Sequence, residues 1–441
     1  MAAVSDAVWG PWTIALLLGT GLFLTVRFRF VQLTRFHQAA AGLVHRSRSG
    51  ARGVLSPFQA FMTGLAGSVG TGNIAGVATA VVAGGPGAVF WIWCYGFFAT
   101  AIKFAEATLG VRYRRAGEHR FSAGPMHYLE DGLRSPRLAW AYGLIAGVAA
   151  LTTTPFTQPN SIAVVLESQL GIDTWISGVG LAVLAWLVVI GGVKSIGRAA
   201  GRLAPAMVAL YLIGGTAVVL THIEQVPAIL ALIVTEAFSF ESAGGGAAGV
   251  GIMVAMRYGL ARGIYANEAG YGTAAVAYGS ARSDRPVQQG LNAVMEVFIV
   301  SFVTSSISAL TILVSGVWQS GLNSTALVAA AFDSALPFGG YLVALVALLF
   351  GYTTLIGWGY YGEQFLQYVL GARVTKPYRW LYCGLIVLGA TTSVELVWAW
   401  GDLMNGLQIF PNLIGLIGLS ALVAGMLRGD RGSSDESSAL E

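Results

Sequence analysis

Residues 63–80 read TGLAGSVGTGNIAGVATA, an apolar stretch interrupted by a cluster of glycines. Glycine in a helix interior costs about 1 kcal/mol relative to alanine, so the cluster favours an unwound point. Ser68, Thr71 and Asn73 lie among these glycines. Unwound peptide groups can offer carbonyl oxygens to a cation and N–H groups to a carboxylate. A continuous helix that packs closely through small residues is the alternative explanation.

A second stretch has the same character. Residues 249–281 read GVGIMVAMRYGLARGIYANEAGYGTAAVAYGSA, and with its apolar flank the segment covers 243–281. At about 1.5 Å per residue this is much longer than the roughly 30 Å of hydrocarbon in a bilayer, which predicts a second break. The segment contains glycines at Gly259, Gly263, Gly270 and Gly272. We expect Arg262 and Glu268 to form a structural ion pair, because ionisable groups within a membrane usually pair with one another.

The composition is that of an integral membrane protein. Of the 441 residues, 55% are hydrophobic and 10% are charged, whereas soluble domains usually carry about 25% charged residues. Backbone groups in lipid must pair internally, so the apolar spans are helices. We predict an all-α integral membrane protein with about eleven transmembrane helices of roughly 20 residues or more. The spans are 8–26, 57–83, 86–111, 138–166, 174–193, 203–221, 243–281, 290–318, 335–371, 378–399 and 402–427.

Basic residues are concentrated in every second segment between these spans. All lysines and arginines except Lys103, Arg257 and Arg262 follow an odd-numbered span. Because positive charge marks cytoplasmic loops, we expect the N-terminus outside and the C-terminus in the cytoplasm. We also expect a disordered cytoplasmic tail at 428–441 and an outer interfacial helix within 225–241. The net charge of +4 is explained by this topology, and no nucleic-acid partner is expected.

The two predicted breaks lie in spans two and seven, so each opens a set of five helices. The first set covers about 57–222 and the second about 243–427. An odd number of helices per repeat turns the second copy upside down, and paired discontinuous helices in such repeats mark the substrate site. We therefore predict a single transporter domain at 1–427, built from two inverted repeats (spans 2–6 and 7–11) plus one extra N-terminal helix.

Long motifs between Ser56 and Leu427 resemble the alanine or glycine:cation symporter family. They are GSVGTGNIAGVATAVVAGGPGAVFW at 67–91, KFAEATLGVRYR at 103–114, RGIYANEAGYGTA at 262–274, RPVQQGL at 285–291 and TTLIGWGYYGE at 353–363. The resemblance implies the LeuT fold and symport of small neutral amino acids such as alanine or glycine with Na⁺, or less often with H⁺. It also implies a bacterial or archaeal plasma (inner) membrane, no enzymatic activity, and no cofactor beyond Na⁺ as the coupling ion.

The resemblance further implies a site at the first break, where residues 69–73 read VGTGN. The Na⁺ ligands would be the carbonyl oxygens of Ala66 and Val69 and the hydroxyls of Thr353 and Thr354. Oxygen ligands of this kind suit a hard cation. The substrate carboxylate would be received by backbone N–H groups at Gly67, Ser68, Gly70 and Thr71. Further candidates at the two breaks are Asn73, Gly263 and Asn267.

Three more side chains belong to the predicted substrate site. Gln158 opens a Gln-x-Asn-Ser pattern in which Pro159 is a departure from the family, and a polar packing cluster is the alternative. Trp358, one turn after Thr354, would cap the pocket and exclude large substrates, or would serve only interhelical packing. Ile264 would restrict the pocket from the opposite side.

Other ionisable groups have structural interpretations beside functional ones. We expect Lys103 and Glu106, one turn apart, to form an ion pair or a gate contact. Glu296 is expected to be a hydrogen-bonded structural acid, with a proton-linked role as the alternative, and Glu363 to be structural. Proton-coupled amino acid symport is the main rival function, followed by a channel or facilitator. The motifs HExxH and GxSxG are absent, which argues against a membrane enzyme. The oligomeric state is left open.

Overall fold

The computed structural model describes residues 10–43, 51, 53–116, 121–239 and 250–438. Within these ranges the chain forms α-helices with short 3₁₀ and π segments, so the all-α prediction is confirmed. One antiparallel hairpin pairs β1 (Arg115–Ala116) with β2 (Phe121–Ser122), and Arg115 lies opposite Ser122.

The helices follow in chain order. They are α1 (Pro11–Arg27), α2 (Val31–Thr34), α3 (Phe36–Gly42), α4 (Pro57–Ser68), α5 (Ala75–Gly84), α6 (Gly87–Tyr113), α7 (Pro125–His127), α8 (Pro136–Thr152), α9 (Thr154–Leu170), α10 (Thr174–Val189), α11 (Gly192–Thr221), α12 (Val226–Ala237), α13 (Val250–Asn267), α14 (Thr273–Gly279), α15 (Pro286–Val297), α16 (Ser305–Val314), α17 (Ser324–Asp333), α18 (Gly339–Leu370), α19 (Thr375–Thr391), α20 (Val394–Gly418) and α21 (Ser420–Ser438). The 3₁₀ segments are Thr71–Asn73, Ile223–Gln225, Val317–Gln319 and Ala372–Val374, and the π segments are Tyr128–Gly132 and Phe298–Thr304.

The predicted break in the second span is confirmed. The two halves, α4 and α5, are bent by 55°. A capping box fixes the start of α4, because the Ser56 hydroxyl accepts from the Gln59 N–H while the Gln59 side chain accepts from the Ser56 N–H. The helix ends at Ser68, Gly70 is extended, and one 3₁₀ turn precedes α5. The peptide groups around Gly70 are thereby removed from the regular helical pattern.

The predicted break in the seventh span is also present, between α13 and α14. Glu268, Gly270 and Gly272 all have positive φ there, at 55°, 96° and 84°. Glycine adopts this region without steric cost, whereas Glu268 is an uncommon non-glycine case. Gly259 lies within α13 instead, where it permits close packing, since an added Cβ would stand 2.3 Å from the Ala88 carbonyl oxygen.

Helix length and composition support several crossings. Among the described residues, five helices are long and apolar enough to span a bilayer, or seven if each bent pair counts as one span. Predicted spans one and five correspond to α1 and α10, which are shorter, and span seven is divided between α13 and α14. The count of eleven and the arrangement as five plus five helices remain predictions.

The C-terminal part differs from the prediction at one helix start. Helix α20 begins at Val394, inside predicted span ten, because the backbone is extended at Thr392 and Ser393. Helix α21 extends as far as Ser438, and the disorder expected of the tail at 428–441 stays a prediction. The side chain of Asp430 lies 3.9 Å from Arg35 and 3.8 Å from Arg285, so ion pairs tie the start of this tail to the bundle. The predicted outer helix within 225–241 corresponds to α12.

Helix α6 lies behind both breaks. It packs against α13, α14 and α15. Contact with α14 is close, because a Cβ added at Gly110 would stand 2.4 Å from the Ala275 carbonyl oxygen. Lys103 and Glu106 on this helix are buried, with exposed fractions of 1% and 0%. The helix therefore brings two ionisable side chains into the centre of the bundle, next to the unwound peptide groups.

Candidate functional site

The two breaks face a common narrow cavity, whose free volume of about 10 Å³ is close to that needed by one water molecule. Six predicted site residues line it: Gly67, Ser68, Gly70, Gln158, Thr354 and Trp358. The other predicted residues lie behind this wall or along the same helices, as described below. The cavity is thus formed where the resemblance placed the substrate.

Thr354 joins α18 to the first break. Its hydroxyl donates to the Ala66 carbonyl oxygen at 2.9 Å and lies 3.3 Å from that of Gly67. The neighbouring Thr353 points elsewhere, with its hydroxyl on the Phe350 carbonyl oxygen and the Met207 sulfur. The structure therefore brings together Ala66 and Thr354 of the predicted Na⁺ ligands, with Val69 at the end of α4, but turns the Thr353 hydroxyl away.

Gln158 occupies one of the donors that were predicted for the substrate carboxylate, the Thr71 N–H. Its Oε1 accepts from the Thr71 N–H at 3.1 Å and from the Thr71 hydroxyl at 2.9 Å. Its Nε2 donates to the Tyr265 hydroxyl at 3.3 Å, and that hydroxyl donates to Thr157. Pro159 lies inside α9 without displacing Gln158 from the cavity. The side-chain amide is therefore a polar partner of the break and part of the cavity wall at once.

A buried ion pair connects the two breaks. The Lys103 ammonium lies 2.6 Å from Glu296 Oε1, from the Ser68 hydroxyl and from the Asn267 carbonyl oxygen. Ser68 also donates to Glu296, and the Tyr278 hydroxyl donates to Glu296 Oε2 at 2.6 Å. The expected pairing of Lys103 with Glu106 is wrong, because the long lysine side chain reaches a carboxylate on α15 that is already hydrogen-bonded at the first break.

Glu106 instead caps the second break. Its Oε1 accepts from the N–H groups of Gly270 and Gly272 at 2.9 and 3.1 Å and from Asn412 Nδ2 at 2.7 Å. Other side chains pair with the carbonyl oxygens there: Tyr95 with Ala269, Tyr142 with Tyr271, and Asn412 with Gly270. Buried peptide groups released from a helix need such partners. The structure gives Glu106 Oε2 no hydrogen-bond partner among the described residues.

The expected pairing of Arg262 with Glu268 is also wrong. Arg262 forms a two-pronged contact with Asp402 on α20, at 3.0 and 3.2 Å, and its guanidinium lies 4.4 Å from the ring centre of Trp398. Glu268 is past the end of α13, so its side chain turns toward the cavity. There its carboxylate accepts from the Trp358 indole N–H and from the Thr273 hydroxyl, the latter at 2.9 Å.

The remaining candidates support the breaks from behind. Asn73 donates to the Ser68 carbonyl oxygen at 2.7 Å and accepts from Ser305. Asn267 donates to the Gly263 carbonyl oxygen at 2.8 Å and accepts from Ser301. Ile264 is buried, and its carbonyl oxygen accepts the Glu268 N–H at 2.8 Å. Glu363 pairs with Arg379 at 2.7 Å, away from the cavity.

The sequence did not indicate six polar or aromatic side chains of the wall: Thr153, Thr154, Tyr265, Glu268, Tyr271 and Asn405. Tyr265, Glu268 and Tyr271 lie in or beside the second break, so their position in the cavity wall is a consequence of the break itself. Asn405 lies in α20, whose start was misplaced, and no local pattern marks it. An aromatic lining of this kind keeps the cavity narrow.

Comparisons with known proteins assign the chain to a family. The model of the "Sodium:alanine symporter family" matches residues 1–435. The chain belongs to the sodium:alanine symporter family. It is 38% identical to the "Sodium/alanine symporter AgcS" of Methanococcus maripaludis, over 95% of this chain and 94% of that protein. It is 34% identical to a Bacillus subtilis protein named "Probable sodium/glutamine symporter GlnT", over 95% of this chain and 87% of that one.

A solved structure supports the fold of this family member. The crystal structure of MhsT in complex with L-phenylalanine aligns with a TM-score of 0.59, at 13% identity, over 86% of this chain and 98% of that chain. The chain therefore has the fold of the LeuT-type transporters, as the motifs implied. As a member of a symporter family it is a multi-pass membrane transporter of amino acids coupled to Na⁺, and it is not an enzyme.

Proposed function

We propose that this protein takes up small neutral amino acids such as alanine or glycine together with Na⁺, by alternating access. The observation that supports this most directly is the contact of the Thr354 hydroxyl with the Ala66 carbonyl oxygen, beside the cavity. Na⁺ would bind among the oxygens of Ala66, Val69 and Thr354. Thr353 would join them after turning its hydroxyl away from Met207.

The substrate carboxylate would bind at the first break, on the N–H groups near Gly70 and Thr71. There it would compete with Gln158 Oε1, which accepts the Thr71 donors in this structure. The rings of Trp358, Tyr265 and Tyr271 line the same cavity. Their bulk limits the substrate side chain, which supports alanine or glycine over larger neutral amino acids.

Coupling follows from the shared segment. An ion held by Ala66 and Thr354 stabilises the same unwound turn that receives the substrate, so each ligand raises the affinity of the other by the same factor. The membrane potential would add about 2.3 kcal/mol per charge per 100 mV. We also propose that the eleven spans form two inverted repeats, with the N-terminus outside and the C-terminus in the cytoplasm of a bacterial or archaeal cell.

Uptake of radiolabelled alanine into proteoliposomes tests this proposal. An inward Na⁺ gradient should drive accumulation, and a negative interior potential should increase it. Unlabelled glycine and alanine should compete, whereas glutamine should compete weakly. Uptake that is indifferent to both the gradient and the potential would contradict Na⁺ coupling, and strong competition by glutamine would contradict the size limit.

Proton-coupled symport is the second candidate. It is favoured by one observation, the buried carboxylate of Glu106, whose Oε2 has no hydrogen-bond partner among the described residues. In the same vesicles, with choline in place of Na⁺, an inward proton gradient should leave alanine uptake at background. Accumulation under those conditions would favour the proton over Na⁺.

A further inference from the structure

The carboxylate of Glu268 forms part of the cavity wall at the second break. Its backbone has φ 55°, which is uncommon for a residue other than glycine. The side chain is 4% exposed, and two donors orient it, the Trp358 indole N–H and the Thr273 hydroxyl. An acidic residue thus takes a conformation that glycine would adopt more easily, and its carboxylate is held in place beside the cavity.

A buried carboxyl group that stays ionised needs a compensating positive charge, because removing an ion from water without a partner is costly. The two buried cations of α6 and α13, Lys103 and Arg262, are both bound elsewhere. Lys103 contacts Glu296, Ser68 and Asn267 at 2.6 Å, and Arg262 is paired with Asp402. Within the described part of the chain, the structure gives Glu268 hydrogen bonds but no ion pair. A ligand with a cationic group would supply what the wall lacks.

The first break stands opposite this carboxylate. A Cβ added at Gly67 would lie 3.4 Å from Glu268 Oε2, whereas one added at Gly70 would lie 3.2 Å from Gln158 Oε1. The two glycines are three residues apart and flank the end of α4. The anionic group of Glu268 and the N–H donor beside Gln158 therefore face the same short segment. A ligand that carries an ammonium and a carboxylate on one carbon offers a group of opposite sign to each.

We propose that Glu268 accepts the α-ammonium group of the transported amino acid. The inference rests on the proposed function and assigns one end of the zwitterion to the second break and the other end to the first. Because both broken segments then hold the same small molecule, the substrate itself links them. The cavity would select for the charged amino group, in addition to a small side chain.

The experiment compares two ligands that differ only in this group, alanine and propionate, by calorimetric binding to the purified full-length protein in Na⁺ buffer. A charge-assisted hydrogen-bonded pair supports a preference for alanine of about tenfold to one-hundredfold. In E268Q the affinity for alanine should fall by about that factor while the affinity for propionate stays the same, so the preference disappears. E268D should keep part of it. E395Q, the same change at an exposed position on α20, should behave as the wild type.

A measurement on the wild type alone covers the case in which E268Q does not fold. Trimethylation of the alanine nitrogen keeps its charge but removes its N–H donors, so the trimethylated compound should bind much more weakly than alanine. A wild type that binds propionate or the trimethylated compound as tightly as alanine would overturn the inference. So would an E268Q protein that keeps its preference for alanine, or one in which only the affinity for Na⁺ changes.

These results are separate from those for the proposed function. If the wild type accumulates alanine with Na⁺ and E268Q keeps its ligand preference, then only the role of Glu268 is refuted. Wild-type protein without Na⁺-driven uptake refutes the proposed function.

Discussion

The ammonium nitrogen of Lys103 lies 2.6 Å from the carboxylate oxygen Oε1 of Glu296, and both side chains are almost fully buried. The pair joins α6 to α15, and through Ser68 and Asn267 it contacts the ends of both α4 and α13. Removing one partner of a buried ion pair leaves an uncompensated charge, which is more damaging than removing both.

The first prediction concerns this pair. K103M should lower the free energy of unfolding by about 3–5 kcal/mol, because Glu296 is left buried without its cation. K103M/E296Q should recover part of that loss, since no charge then remains. Thermal unfolding of the detergent-solubilised proteins measures both effects. A double variant less stable than K103M would show that the charge of Glu296 is compensated by another group.

The second prediction concerns the cap on the second break. E106Q keeps an acceptor oxygen for Gly270 and Gly272 and buries one unpartnered NH₂ group. E106A leaves both of these N–H groups without a partner and removes one of the two acceptors of Asn412 Nδ2. Each unsatisfied buried donor costs about 1–3 kcal/mol. E106A should therefore unfold at a clearly lower temperature than E106Q. Equal melting temperatures would mean that water or a neighbouring group replaces the carboxylate.

The third prediction concerns the ion site. T354A should raise the Na⁺ concentration for half-maximal alanine uptake by about tenfold, since a polar oxygen next to Ala66 is lost. T354S retains the hydroxyl and should stay close to the wild type. T353A should have a smaller effect, because the Thr353 hydroxyl contacts Met207. Equal effects of T353A and T354A on the Na⁺ dependence would contradict this assignment.

The fourth prediction tests the close approach at Gly70. A Cβ there would stand 2.6 Å from the Thr354 hydroxyl and 3.2 Å from Gln158. G70A should therefore abolish uptake and destabilise the protein by about 1–3 kcal/mol through overpacking. G180A is the matched control, since a Cβ at Gly180 on α10 meets nothing within 4 Å. Transport by G70A at the wild-type rate would show that the break is wider than the structure has it.

The fifth prediction is a pH dependence outside the spanning segments. Burial lowers the pKa of His127 from 6.5 to about 4, and the positive charge of Arg115 acts in the same direction. Its ring contacts the Ser122 hydroxyl at 2.7 Å. Between these pH values the unfolded chain binds a proton that the folded protein excludes. Stability should therefore fall as the pH decreases from about 6.5 towards 4, by up to about 1.4 kcal/mol per pH unit.

Melting temperatures of the wild type and H127Q across this pH range measure the contribution of His127. The variant lacks the titrating ring and should show a shallower loss of stability in acid. Parallel curves for the two proteins would assign the acid sensitivity to other groups.

Both interruptions could be predicted because their cause is local. Clustered glycines weaken a helix wherever it packs, and residues 63–80 and 249–281 carry them in the sequence itself. The start of α4 has a local signal too, the capping box of Ser56 and Gln59. These features do not depend on how distant helices are arranged.

The side-chain partners could not be predicted, because they depend on long-range packing. Lys103 and Glu296 are 193 residues apart in the chain, and Arg262 and Asp402 are 140 apart. Sequence proximity suggested nearer partners, Glu106 and Glu268, which hydrogen-bond instead to groups at the second break. Thr353 and Thr354 differ for a related reason, since consecutive residues point about 100° apart around a helix and only one can face Ala66.

The side chains that hydrogen-bond to the peptide groups of residues 269–272 come from three helices: Tyr95 and Glu106 from α6, Tyr142 from α8, and Asn412 from α20. If α8 or α20 slides past α6, these peptide groups must either move with the helix or lose a hydrogen bond. Relative movement of these helices therefore changes the backbone conformation of the second break.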